Sequence, residues 1–181
     1  MIWYHWIAIF SLSVCGIACI YHFLHLVRLG KPKDYAAPAG KTGSAIKYSF
    51  TGAMSPAKKE SAYLHLPTYT AGILYHIGTF LSIFLFILFL FKIFPEGWLI
   101  WPITGVLAVS GLSGSFILIK RIINKQLRSL SNPDDYLSNL LVTLLHFFTA
   151  ISLFKVEILP AYYILVSIIL LYLPLGKLKH T

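Results

Sequence analysis

The feature that most constrains this chain is an uninterrupted apolar run over residues 69–94. A membrane-spanning helix needs about 20 apolar residues, because each residue advances the helix by about 1.5 Å and the hydrocarbon core is about 30 Å thick. Hydrophobic residues make up 57% of the chain and charged residues only 12%. This composition argues against a water-soluble domain and predicts an all-α integral membrane protein.

Five apolar segments predict a five-transmembrane-helix bundle that forms a single membrane domain over residues 1–181. The fourth segment is the weakest, because it begins with acidic residues and contains a histidine. The first is too long for the apolar core of a signal peptide and lacks a basic region before it, so we expect a retained helix. The predicted spans are residues 2–29, 69–94, 98–119, 136–154 and 158–175.

The distribution of positive charge predicts the orientation of these spans. Residues 28–60 contain seven Lys and Arg and residues 120–128 contain four, whereas the opposite side has only Lys92 and Lys155. By the positive-inside rule the N-terminus lies outside and the C-terminus lies in the cytoplasm. Because the charges lie next to spans, the net charge of +9 reflects the positive-inside bias of a protein among membrane lipids rather than nucleic-acid binding. We expect a multi-pass protein of the cell inner (cytoplasmic) membrane.

The predicted cytoplasmic loop, residues 30–68, is rich in Lys, Gly, Ser and Pro. It is too long for a simple connection, so we expect it to dock on another surface. The outer loops are only a few residues long, so any soluble partner is expected on the cytoplasmic side. At the predicted outer boundary, aromatic residues form a belt typical of a membrane interface. They are Trp3, Tyr4, Trp6, Trp98 and Trp101.

The third predicted span contains small residues at helical spacing in the stretch "GVLAVSGLSGSF". Ser110 and Gly114 are four residues apart, and so are Gly111 and Ser115. Small residues at this spacing allow helices to approach closely. Close helix packing is therefore the first interpretation, and room for a flat cofactor is the alternative.

Histidines gather toward the predicted inner leaflet on three helices. A histidine at membrane depth packs against a partner, relays protons or binds a metal or haem. At about 1.5 Å per residue, His76 lies about 9 Å from the inner boundary. His22 and His25 lie near the inner end of the first span and His180 at the inner end of the fifth, while His146 lies near mid-membrane. A six-coordinate haem b needs two neutral imidazoles at similar depth, and these residues are candidates for it.

Three sequence motifs carry a family resemblance. The segments are "LYHIGTF" in the second span, "SNPDDYLSNLLVTLLHF" at the start of the fourth, and "LYLPLGKLKH" at the end of the fifth. Together with the five spans and basic inner loops, they resemble the nitrate reductase gamma-subunit family of membrane cytochromes b. The chain is most similar to relatives paired with heterodisulfide-reductase-like iron–sulfur subunits, although its loop over residues 30–68 is longer than in the nitrate reductase subunit.

The resemblance implies one haem b, with His76 and His180 as iron ligands. Diheme members of the family have two further histidines for an outer haem, and the corresponding positions here are Phe86 and Tyr162. Both outer ligands are therefore missing together. A replacement ligand, or a second haem, remains an open alternative. The alternative haem ligands are His22, His25 and His146.

The resemblance further implies a b-type haem membrane anchor subunit of a respiratory oxidoreductase. It would pass electrons between a quinone-type carrier and a cytoplasmic iron–sulfur protein subunit, with the catalytic centre on another subunit. The alternatives are a haem-free membrane scaffold or transporter subunit, or the cytochrome b of a succinate-dehydrogenase-like complex. Polar groups near the inner boundary are weak candidates for quinone binding and are also candidates for lipid-headgroup anchors. They are Arg28, Lys47, Tyr69 and Lys177.

Overall fold

The computed structural model describes residues 2–30, 35, 39–55, 58, 62–176 and 178. All regular secondary structure in this part of the chain is helical. Five longer helices are accompanied by two short ones near the predicted inner surface. The helices are α1 Trp3–Arg28, α2 Thr42–Phe50, α3 Leu66–Leu90, α4 Ile100–Ile123, α5 Lys125–Ser129, α6 Pro133–Ser152 and α7 Leu159–Tyr172.

Three of the described helical segments are long and apolar enough to cross a membrane. They are Trp3–Arg28, Ala62–Leu90 and Gly97–Ile123. Helix α6 has 20 residues but carries polar side chains along one face. Helix α7 has 14 residues, which gives about 21 Å at about 1.5 Å per residue and falls short of the hydrocarbon core. The all-helical fold agrees with the sequence and is compatible with a membrane protein, while the five-span count and the orientation stay predictions.

The helix boundaries differ from the predicted ones for local reasons. Helix α3 begins three residues earlier than predicted, because Pro67 suits the first turn of a helix. It ends at Leu90, ahead of Lys92, whose φ of 59° cannot continue a right-handed helix. Helix α7 ends two residues before Pro174, so the helix ends ahead of the proline instead of kinking around it.

The helices pack side by side in the order α1, α7, α6, α4 and α3, and α3 also contacts α6. Helices α3, α4 and α6 therefore form a three-helix unit, and α7 lies between this unit and α1. We call the end of the bundle that carries Arg28 and Lys120 the inner end, and the end that carries Trp3 and Trp98 the outer end. These names follow the predicted orientation.

Small residues hold the three-helix unit together at close range. A methyl group added at Gly78 of α3 would overlap the side chain of Ser110 on α4. One added at Gly111 would lie 2.8 Å from the ring of Phe147 on α6. The close-packing interpretation of the small residues in α4 is therefore confirmed, and side chains of α3 and α6 occupy the space that a flat cofactor would need there.

Helix α6 begins with a reciprocal capping box. The Asp135 backbone N–H donates to the Asn132 side-chain oxygen at 3.1 Å, and the Asn132 backbone N–H donates to the Asp135 carboxylate at 2.9 Å. Pro133 follows at a helical position that needs no N–H. The sequence motif "SNPDD" thus starts this helix, and Asn132 is its N-cap.

Polar contacts fix the inner ends of the three-helix unit. The Lys120 ammonium donates to the Thr68 hydroxyl and so links α4 to α3. The Arg121 guanidinium donates to the Ser131 hydroxyl at 2.9 Å and lies 3.8 Å from the Asp135 carboxylate. These contacts place the basic end of α4 against the start of α6.

Aromatic rings fill the outer half of the space between α1, α3 and α7. Tyr4 stacks on Tyr163 with ring centroids 5.3 Å apart, and Phe86 meets Tyr163 edge-on at 6.4 Å. The ring centroids of Phe89 and Tyr162 are 5.6 Å apart. Tyr4 is therefore buried, although the sequence suggested an interfacial position. The other members of the predicted belt are exposed near the starts of α1 and α4, and they are Trp3, Trp6, Trp98 and Trp101.

Candidate functional site

His76 lies on α3 with its imidazole exposed on the bundle surface. It is ten residues from the start of the helix, so its Cα lies about 15 Å along the helix axis. Thr79, Ile83 and Phe86 follow at spacings of three and four residues, which places them on the same face of α3. All three line a cavity between the helices. His76 therefore occupies the turn of α3 on the inner side of this cavity.

This cavity, which we call the inter-helix cavity, has a volume of about 340 Å³. Its walls come from α3, α6 and α7, and Leu12 of α1 and Leu178 also line it. Val166 lies at one end of the α7 wall, and Leu173 follows α7 at the other. All the lining side chains are apolar except Thr79 and Ser82 of α3. The cavity thus suits an apolar occupant with one polar corner.

A second cleft lies beside the inner end of α1. His22 and His25 line it, together with Cys19 of the same helix and with Leu173 and Pro174, which follow α7. Its volume is about 450 Å³, and both imidazoles are exposed. Leu173 belongs to the walls of both the cleft and the inter-helix cavity. The two spaces are therefore neighbours, separated by the end of α7.

His146 is fully buried, with 0% of its surface exposed. Its Nε2 lies 3.1 Å from the Thr79 hydroxyl oxygen, and its ring meets Tyr75 edge-on with centroids 5.1 Å apart. Its Nδ1 is buried and makes no hydrogen bond of standard geometry within the described residues. In this packing the contact between His146 and Thr79 joins α6 to α3, and the role of His146 as an alternative haem ligand stays a prediction.

Further hydrogen bonds extend from His146 toward the inner end. The Tyr75 hydroxyl donates to the Asn139 carbonyl at 3.1 Å, and the Thr143 hydroxyl donates to the Asn139 side-chain oxygen at 3.2 Å. The Ser110 hydroxyl donates to the Leu74 carbonyl at 2.7 Å. We call the side chains along this line the polar seam. They are Tyr75, Thr79, Asn139, Thr143 and His146.

Three of the remaining predicted site residues lie within the part of the chain that the structure describes. His180 and Lys177 lie outside the described residues. Arg28 is exposed at the end of α1, Lys47 is exposed on α2, and Tyr69 is partly buried in the first turns of α3. None of these three lines the inter-helix cavity or the cleft beside α1. The assignment of the weak quinone-binding candidates therefore stays a prediction.

The two positions that correspond to outer-haem ligands are both packed. Phe86 is 5% exposed and Tyr162 is 0% exposed, and each contacts other aromatic rings. Within the part of the chain that the structure describes, no group of three or more His, Cys, Asp and Glu side chains could hold a metal ion. A haem iron differs in this respect, because the porphyrin supplies four ligands and the protein needs to supply only axial ones.

Sequence reasoning missed Ser82 and Thr79 as residues of a candidate site. The only signal available was two hydroxyl groups three residues apart in an otherwise apolar helix. Such residues commonly bond to the carbonyl four positions earlier in their own helix, so the pattern alone did not indicate a cavity.

No protein-family model, curated protein or solved structure matches this chain.

Proposed function

We propose that this protein is a b-type haem membrane anchor subunit of a respiratory oxidoreductase of the cell inner membrane. It passes electrons between a quinone-type carrier and a cytoplasmic iron–sulfur protein subunit. The observation that carries the proposal is the position of His76, whose exposed imidazole lies on the helix face that leads into an apolar cavity between α3 and α7. Five spans, with the N-terminus outside, belong to the same proposal.

The residues present fit a haem with axial imidazole ligands. His76 offers an imidazole as one axial ligand of the iron. The second proposed ligand is His180, which follows Pro174 by six residues. His22 and His25 are the alternatives, since they line the cleft beside Pro174. When bound, haem iron supplies one-electron transfer, and the chain's part is to hold its ligands and exclude water.

A single haem is favoured by packing in the outer half of the bundle. Tyr162 and Tyr163 are both fully buried, and their rings contact those of Phe89 and Phe86. The space between the outer halves of α3 and α7 is therefore occupied by side chains of the chain itself. With one haem on the inner side, electron transfer stays within that half of the membrane.

The inner surface offers a basic platform for a soluble partner. Helix α2 has no buried residue in the structure, and it carries Lys47 and follows Lys41. The ammonium group of nearby Lys58 lies 5.4 Å from the ring centroid of Tyr48. Exposed lysines of this kind attract an acidic surface and accelerate association by electrostatic steering. This supports docking of the iron–sulfur partner on the cytoplasmic side.

The test is a reduced-minus-oxidised absorption spectrum, with a pyridine haemochrome assay, on the full chain purified from membranes. We expect one haem b per chain. His76→Ala should abolish the signal, whereas His65→Ala should preserve it, because His65 is exposed at the start of the same helix. His180→Ala, compared with His22→Ala and His25→Ala, identifies the second ligand.

Three outcomes would contradict parts of the proposal. A colourless protein would favour the haem-free scaffold or transporter subunit. An unchanged spectrum in the His76→Ala variant would show that the ligand assignment is wrong. Two haems per chain would overturn the single-haem interpretation.

A further inference from the structure

The Ser82 hydroxyl is a buried donor that lacks an acceptor. Ser82 is 0% exposed, and its Oγ has no hydrogen-bond partner among the residues that the structure describes. Other buried serines donate to the carbonyl four residues earlier, as Ser113 does at 2.8 Å and Ser167 does at 2.7 Å. Leaving a buried hydroxyl unpaired costs free energy. The position of Ser82 therefore indicates an acceptor that the described chain does not supply.

Ser82 belongs to the wall of the inter-helix cavity. The volume of about 340 Å³ lies at the small end of the range for ligand sites. Sites of this kind have mostly apolar walls and a few polar groups that orient the ligand. A matching ligand is apolar over most of its surface and carries a hydrogen-bond acceptor at one place.

The cavity opens toward the lipid. Leu12 of α1 and Ile83 and Ile87 of α3 line it, and these side chains are 40%, 47% and 46% exposed. They lie in the apolar parts of α1 and α3, both long enough to cross a membrane. A ligand would therefore enter sideways from the bilayer, which requires a lipid-soluble molecule.

A second hydroxyl lies next to Ser82 on the cavity wall. Thr79 precedes Ser82 by three residues, so the two side chains project from one face of α3. The Thr79 oxygen lies 2.9 Å from the Tyr75 carbonyl and 3.1 Å from His146 Nε2. These contacts fix the Thr79 side chain against the polar seam, and Ser82 is left as the free donor at this corner.

We propose that the inter-helix cavity binds the ring of a quinone-type carrier, with the Ser82 hydroxyl donating to a ring carbonyl. A quinone combines an apolar ring with carbonyl acceptors and reaches the site through the bilayer. A plain hydrocarbon chain offers no acceptor for Ser82. This inference rests on the proposed function for the identity of the carrier, and it assigns to that carrier a site that the sequence left unassigned.

The experiment measures saturable binding of a tritium-labelled naphthoquinone with one isoprene unit to the full chain in lipid nanodiscs, with empty nanodiscs as the baseline. Ser82→Ala should weaken binding about tenfold, since a buried hydrogen bond is lost. The matched control is Ser167→Ala, because Ser167 is buried and its hydroxyl already bonds within α7. Val166→Phe should abolish binding by filling the cavity. A labelled methylnaphthalene, which has no carbonyl, should bind wild type and Ser82→Ala equally.

Haem content is measured on the same samples. Failure of the proposed quinone site can then be distinguished from failure of the proposed function. Haem-containing protein without saturable quinone binding would overturn the site and leave the proposed function standing. Haem-free protein whose quinone binding depends on Ser82 would support the site and overturn the proposed function. If Ser82→Ala changes the haem spectrum and leaves quinone binding unchanged, the cavity holds haem and the inference is wrong.

Discussion

The Nε2 atom of His146 on α6 lies 3.1 Å from the hydroxyl oxygen of Thr79 on α3. This contact joins two helices that are remote in sequence, and His146 is closed to solvent. It also links the polar seam to the inter-helix cavity, because Thr79 lines the cavity and His146 is fully buried. The pair therefore bears on both the stability of the bundle and the chemistry of its site.

Replacing Thr79 by valine should destabilise the protein by about 1 kcal/mol, because it removes this hydrogen bond with little change in side-chain volume. The measurement is equilibrium unfolding in mixed micelles. Thr70→Val is the matched control, since Thr70 is exposed on the same helix. Equal changes in the free energy of unfolding for the two substitutions would mean that the Thr79–His146 contact contributes nothing to stability.

Replacing Gly78 by alanine should destabilise the bundle by about 1–3 kcal/mol, because the added methyl group would overlap the Ser110 side chain and force α3 and α4 apart. Gly72→Ala is the control on the same helix, since nothing lies within 4 Å of its added methyl group. We expect that control to be neutral or slightly stabilising. Thermal unfolding in detergent compares the two, and a Gly78→Ala variant as stable as Gly72→Ala would contradict the close packing.

Replacing Asn132 by alanine should lower the free energy of unfolding by about 1 kcal/mol, because it removes the N-cap of α6 and breaks one half of the capping box. Ser129→Ala is a nearby comparison, because Ser129 is exposed and bonds only within its own short helix. The free energy of unfolding of each variant is measured under the same conditions. A loss no larger for Asn132→Ala than for Ser129→Ala would argue against the cap.

Single cysteines should report whether α6 and α7 cross the membrane. An impermeant maleimide should label Ser129→Cys and Leu175→Cys from the cytoplasmic side and Lys155→Cys from the outside, because these positions flank the two helices. Wild type gives the background from its native cysteines, of which Cys15 is buried. Labelling of all three positions from one side would overturn the five-span prediction.

Local sequence patterns predicted the five longer helices, whereas several of their ends differ from the predicted ones. The fourth span was predicted to begin at residue 136, whereas α6 begins at Pro133, because the capping box of Asn132 and Asp135 adds a polar first turn ahead of the apolar part. The small residues of α4 predict close packing. The predicted inner ends of α3 and α4 were also inaccurate. A proline in the first turn of α3 and basic residues in the last turn of α4 extend each helix beyond its apolar part.

The candidate site was less predictable than the helices. His76 was selected from its depth in an apolar run, and the structure places it beside a cavity. His146 attracted the same attention at the sequence level, yet it is enclosed by Tyr75, Thr79 and Ser110. The sequence could not separate the two, because their exposure depends on which helix packs against each face.

The sequence by itself determined that the chain is helical and that several of its helices are long and apolar enough to cross a membrane, since the length and polarity of a segment are properties of that segment alone. Only the tertiary structure decided that Ser82 faces a cavity, that His146 is enclosed and that aromatic rings fill the outer half around Phe86 and Tyr162. These outcomes depend on contacts between helices far apart in the chain. Hydrophobic patterning cannot specify such contacts in a membrane, because lipid-facing and buried faces are equally apolar.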